Sequence, residues 1–204
     1  MLKIQRRVAE RVRLEPLEDP PERVAGVDVS YRGDRYRAAA VVLDAETFEV
    51  LETRTAEGRV RVPYEPGFLA FREGPAALKV LKGLDYDLLL VNGHGIAHPR
   101  RAGLASHLGV ALDRPTVGVA RRPLVGEPGG EPERVGDAVP LVHRGETVGH
   151  LVLTREGCRP VVVSPGHRCS HRDAIEWVLR LVRGSKWPEP LRLADQLSKR
   201  WKRG

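Results

Sequence analysis

Three short stretches carry side chains able to do chemistry. Asp28 stands within VAGVDVSY, where neighbouring valines imply burial, and a buried carboxylate is costly unless a cation or metal sits beside it. A plain salt bridge, or a strand edge facing water, would answer the same need. Glu73 lies in AFREGP, where an acid on a solvated helix face is the ordinary reading. Asn92, the only asparagine of the chain, ends the apolar run LLLVN and opens VNGHGIAHPR. Open α/β sheets place ligand sites just beyond the carboxyl ends of their strands. Gly93 and Gly95 would let a ligand come close to backbone there, although a loop that merely turns the chain has the same composition. His94 and His98 are four apart, but the flanking glycines and Pro99 argue against a metal-binding helix and no HExxH pattern occurs, which sets zinc aside.

The elements that must position these residues are legible from periodicity. Ile4, Val8 and Val12 between arginines predict an amphipathic helix over about 3–14, ended by the prolines of LEPLEDPPERV. Three β-rich runs follow, 23–32, 36–46 and 49–62, with RGD and AETF as the turns between them: an antiparallel meander. After PYEPG the spacing predicts a helix in FLAFREGPAALKVLKGL. DLLLVN has the continuous apolar character of a strand covered on both faces. GLASHLGVALD and PTVGVA repeat the helix-strand crossover, TVGHLVLT and RPVVVS read as further strands, and 126–137 as a surface loop. HRDAIEWVLRLVRGS reads as a helix with Ser170 and Asp173 at capping-box spacing. A basic segment, about 189–204, closes the chain. Meander first and crossovers after imply an α/β fold, a ribonuclease H-like mixed sheet in a single domain over 1–204.

Composition narrows the partners. The 204 residues suffice for one core without staples, and a formal net charge of +7 favours polyanions such as nucleic acid, although a solvated basic surface gives the same charge. Cys158 and Cys169 match no zinc spacing and read as reduced structural thiols. The charged start has no signal-like apolar stretch, and no run reaches the roughly 18 residues of a membrane span. The expectation is a soluble, cytoplasmic monomer with no membrane attachment.

Taken together, GVDVSY, VPYEPGFLAFREGP, VNGHGIAHPR, GLASHLGV, PTVGVARRPLVGE and SPGHRCS resemble, in order and spacing, the endonuclease V family, the deoxyinosine 3′ endonucleases. The resemblance covers about residues 23–173. It implies a ribonuclease H-like DNA-repair nuclease that depends on Mg²⁺, with Mn²⁺ as a substitute. The implied substrate is DNA containing deoxyinosine, or inosine in RNA, cut at the second phosphodiester on the 3′ side. On this resemblance Asp28 and Glu73 match acidic metal positions, and hard Mg²⁺ favours such oxygen donors while keeping waters. His167 in SPGH matches a histidine associated with the catalytic site. Pro63, Tyr64, Glu65 and Pro66 match a strand-separating wedge, an aromatic ring on a stiff turn that replaces lost stacking. Leu69, Gly93, Gly95, His98 and Gly103 match the walls of the pocket for the flipped base.

Two departures bear on activity. The family's usual acid in the GHG loop is an Asp, and here it is Asn92. The amide can still offer oxygen to a metal but removes one negative charge. Asp87 lies five residues back, roughly 15 Å along an extended strand, too far to substitute. An amide at that point fits a neutral ligand in a weakened nuclease, a protein that binds inosine-containing strands without cutting, or an inactivating substitution. Arg121 stands where many relatives carry Lys, a change that suits holding phosphate better than donating a proton.

Overall fold

The computed structural model describes residues 1–201. Fourteen elements build a mixed α/β fold around one sheet of nine strands. Helix α1 is Leu2–Arg11. The meander is β1 (Arg23–Arg32), β2 (Arg35–Asp44) and β3 (Val50–Arg59), with the turns near where RGD and AETF place them. Helix α2 (Leu69–Leu81), β4 (Leu88–Asn92), α3 (Leu104–Leu112) and β5 (Thr116–Ala120) form the two crossovers. Then come β6 (Glu127–Pro128), β7 (Ala138–His143), β8 (Glu146–Val152), β9 (Val161–His167), α4 (His171–Arg180) and α5 (Glu189–Ser198). The strand order is β3-β2-β1-β4-β5-β9-β8-β7-β6, with β4 parallel to both β1 and β5.

Each face of the sheet carries its own core. Ala25, Val27, Leu89 and Val91 pack under α2 and α3, while Val24, Leu88, Leu90, Val117 and Val119 pack under α4 and α5. The period-2 alternation of a strand explains the division, and a strand buried on both faces explains why DLLLVN is apolar throughout. At Gly26 a Cβ would lie 2.3 Å from the Pro190 backbone, so only glycine lets α5 settle this closely on β1.

Several boundaries and contacts differ from the expectations. The stretch 126–137 holds the short β6 at its start. AVPLVH, which follows it, is strand β7 and had no place in the periodicity reading. Pro140 obscures it, since proline cannot donate to a ladder; near this margin of the sheet the loss is tolerated, and its carbonyl still accepts from Gly129. In α1 the buried residues are Gln5 and Val8, whereas Ile4 is half exposed, so the helix docks through an amide as well as an aliphatic. Ser170 caps α4 as expected, its Oγ accepting from the Asp173 N–H at 3.1 Å. Asp173 does not complete the box. Its carboxylate accepts from the Ser170 hydroxyl and from the backbone N–H of Leu17, tying down the N-terminal strap. The C-terminal segment folds as α5 over β1; its last residues, 202–204, lie outside the described residues.

Candidate active site

Asp28 and Asn92 are paired where β1 runs past the end of β4, and Glu73 lies near enough to feel the charge of Asp28. Val27 is in register with Val91, which puts Asp28 beside Asn92, and the Asn92 amide nitrogen donates to Asp28 Oδ1 at 2.6 Å. Alternation sends Asp28 to the face of Val24 and Gly26, under α5, where it is buried. There the Ser198 hydroxyl, fully buried near the end of α5, donates to Asp28 Oδ2 at 2.6 Å. The Ser30 hydroxyl in turn donates to the Ser198 carbonyl at 2.6 Å. Both oxygens of one carboxylate are thus held by donors from other elements.

Glu73 approaches from the opposite face, on α2. Tyr31, which alternation places on that face with Val27 and Val29, donates its hydroxyl to Glu73 Oε1 at 3.2 Å, and the Arg72 guanidinium lies 4.3 Å over the Tyr31 ring. Burial first, and the charge of Asp28 second, push the Glu73 carboxyl up to about 8. Burial and the neighbouring Glu73 likewise push the Tyr31 phenol up, so it remains a donor. A buried Glu73 carboxyl held protonated near a second acid is an arrangement that a hard cation would relieve. Among the described residues no group of three or more His, Cys, Asp or Glu forms a metal cluster, so the oxygen donors here are two carboxylates and an amide.

A small cavity of about 120 Å³ has Tyr64, Leu69, His94, His98, Gly103 and Leu104 among its walls. It is well below the ~300 Å³ at which pockets for drug-sized ligands begin, so it suits one flat ring system. Leu69 and Glu73 are four apart on α2, so one helix face supplies a pocket wall and the acid. The glycines act differently from one another. A Cβ at Gly93 would touch Leu104 and Leu69, whereas one at Gly95 would lie 2.1 Å from the Pro165 carbonyl and one at Gly103 2.2 Å from that of His94. Gly95 and Gly103 therefore allow the loop to close on β9 and on itself, and Gly93 faces the cavity walls. His98 Nδ1 accepts from the Arg100 N–H, so Nε2 carries the hydrogen and donates to the Gly67 carbonyl at 3.0 Å. Burial lowers its pKa to about 4, and burial also lowers that of His94, so both rings are neutral at pH 7.

Pro63, Tyr64, Glu65 and Pro66 form an exposed turn at the cavity mouth, with Tyr64 66% exposed. Arg121 follows β5 at the same end of the sheet, Asn92 being in register with Val119; it is exposed and lies 5.7 Å over the Trp187 ring.

His167 is the residue that does not join this group. Its register partner is Thr116, which pairs with Leu89, three residues or ~10 Å before Asn92 along the strands. The ring is buried, with Nδ1 accepting from the Arg13 N–H and Nε2 facing Asp113 at 3.2 Å. It fastens the strap after α1 to the C-terminus of α3. Ser198 and Tyr31 are the residues that sequence reasoning passed over. The signal for Ser198 was a lone hydroxyl in the buried stripe Leu191, Ala194, Ser198.

The endonuclease V family matches residues 6–196. The chain is 71% identical to the endonuclease V of Methanopyrus kandleri, over 98% of this chain and 86% of that one, and 50% identical to that of Methanothrix thermoacetophila, over 97% and 88%. Among solved structures, endonuclease V from Streptomyces avermitilis superposes with a TM-score of 0.91 at 42% identity, covering 98% of this chain and 90% of that one. Ciona intestinalis endonuclease V, in complex with a 24mer DNA containing an inosine followed by a ribo-adenosine, superposes at 0.81 with 27% identity, covering 97% and 94%.

Proposed function

The chain belongs to the endonuclease V family, and from that premise we propose that it is a Mg²⁺-dependent repair endonuclease cutting strands on the 3′ side of deoxyinosine or inosine. One observation carries this reading: Glu73, its carboxyl raised by burial and by the charge of Asp28, lies on the same face of α2 as Leu69, a wall of a cavity sized for a single base. The donor set fits a hard cation, and Asp28, Glu73 and the amide oxygen of Asn92 are the residues that would hold it. When bound, Mg²⁺, or Mn²⁺ in its place, supplies a Lewis acid for the phosphoryl group and makes water a better nucleophile.

The chain's own residues do the rest. Tyr64 replaces stacking where the base leaves the helix, and its exposure on a turn between two prolines supports that role. Leu69, Gly93, His98 and Gly103 enclose the base, and neutral His98 adds no charge to the wall. Hypoxanthine presents O6 as acceptor and N1–H as donor, the reverse of adenine, so backbone groups in a tight pocket can tell them apart. Arg121 holds the phosphate backbone at the rim. His167 has no part in this scheme and serves the fold. The sheet, an antiparallel meander followed by crossovers, is read as ribonuclease H-like.

A second reading has its own observation. Asn92 and Ser198 already satisfy both oxygens of Asp28, which is what a site that binds inosine-containing strands without cutting them would look like. Labelled inosine-containing single- and double-stranded oligonucleotides, titrated with Mg²⁺ and compared between this chain and Asn92→Asp, separate the two. The expected result is scission by both, with Asn92→Asp half-saturated at about tenfold lower Mg²⁺ because a negative charge has returned. Intact strands retained with inosine preference would select the binding protein. Equal rates across the titration would remove position 92 from the metal site.

A further inference from the structure

Gln5 is fully buried on a helix whose other residues, Val8 apart, face or border solvent. A buried amide must find partners for both its ends. Gln5 finds them far along the chain. Its Nε2 donates to the Gly67 carbonyl at 2.7 Å, and its Oε1 accepts from Arg100 Nε. Gly67 closes the PYEPG turn with φ +79°, and its carbonyl accepts further hydrogen bonds from Arg100 at 2.7 Å and from His98 at 3.0 Å. Three donors thus converge on one backbone oxygen. Arg100 is itself held flat, its guanidinium 4.7 Å over the Phe68 ring. At the other end of the turn, Arg72 donates to the Val62 carbonyl at 2.9 Å. Between these two clamped carbonyls the four residues 63–66 project into solvent.

We propose that Gln5 is a positioning residue for the strand-separating turn: through Gly67 it couples α1, outside the pocket, to the angle at which Tyr64 meets a duplex. This rests on the reading of the 63–66 turn given above. Loss of the amide leaves the Gly67 carbonyl to Arg100 and His98 and so loosens the hinge, while the two carboxyl groups and most of the cavity wall stay untouched. The demand on the turn exists only where two strands must be parted. A single strand, whose base is already free to enter the pocket, makes no such demand.

The test measures affinity for a deoxyinosine duplex and for the same inosine-containing strand alone, in this chain, Gln5→Met, Tyr64→Ala and the double variant. Gln5→Met keeps side-chain length and removes both hydrogen bonds. The expected outcome is an about tenfold loss on duplex with single-strand affinity within about twofold, since of the two hydrogen bonds lost only the one to the Gly67 carbonyl bears directly on the turn. The double variant then loses no more duplex affinity than Tyr64→Ala alone, the non-additivity of residues acting through one device. If Gln5→Met does not fold, Gln5→Glu, which keeps the acceptor for Arg100 and loses the donor to Gly67, is read the same way. Equal losses on both substrates, or additive losses in the double variant, would overturn the proposal. A starting chain with no inosine preference on either substrate would instead overturn the functional reading beneath it, and the proposal with it.

Discussion

Glu73 shows how one residue's environment sets a measurable behaviour. Its carboxyl is raised from an ordinary 4.5 to about 8, by burial and then by Asp28, so the native state keeps a proton that the unfolded chain has lost across that window. Stability from this group is therefore fully present below about pH 4.5 and is lost as pH rises through about 8. A cation binding between the two acids must displace the same proton. Calorimetry of Mg²⁺ or Mn²⁺ binding at pH 6.5, in two buffers of different ionisation enthalpy, should find close to one proton released, falling toward none above about pH 9. Glu73→Gln should abolish that release. A release that persists in the variant would place the proton elsewhere. Asp28 and Glu73 stood out as candidates in the sequence because a carboxylate among valines, or in a recognisable motif, is conspicuous. Ser198 was not, because a serine in an amphipathic helix is ordinary until its partner is known.

At the scale of elements, the loop after β4 is held closed by backbone packed too tightly for any side chain but glycine. Adding a methyl at Gly95 would push it to 2.1 Å from the Pro165 carbonyl, a contact that rigid strand β9 cannot relieve. Gly95→Ala should cost about 2–3 kcal/mol in denaturant unfolding and weaken inosine binding further, because the loop carries the pocket. A loss of under about 0.5 kcal/mol would show that the loop yields. His167 makes the complementary case. His167→Gln should lower stability by about 1–2 kcal/mol through its lost contacts to Arg13 and Asp113, with the metal dependence of activity unchanged. A shifted metal requirement would return His167 to the site. The strands were readable where alternation or continuous burial was clean. β7 was not, because a proline in its middle carries the signature of a break, and only its neighbours in the sheet compensate.

For the molecule as a whole, the formal charge of +7 predicts a sequence-independent attraction to phosphate backbones. Affinity for undamaged duplex should fall linearly with the logarithm of salt concentration. The margin for an inosine site should change much less, since it comes from contacts to a base in a pocket and not from released counterions. Parallel slopes for inosine and control duplexes, measured by titration at several salt concentrations, would bear this out. A margin that vanishes with salt would make the preference electrostatic. No helix among the described residues is long and apolar enough to cross a membrane.

Sequence alone determined the order of meander and crossovers and the family resemblance, and it pointed to the acids, the amide and the 63–66 turn as candidates. These are written in local periodicity and in motifs whose meaning survives without coordinates. Tertiary structure alone decided that Glu73 sits on the opposite face of the sheet from Asp28 yet within reach of its charge, that Ser198 closes on Asp28 from a helix 170 residues away, and that Gln5 holds the Gly67 carbonyl. It also sent His167 to the other end of the strands. The physical reason is common to all four. A side chain's neighbours depend on strand register and on which helix covers which face, and those are settled by packing across the whole sheet.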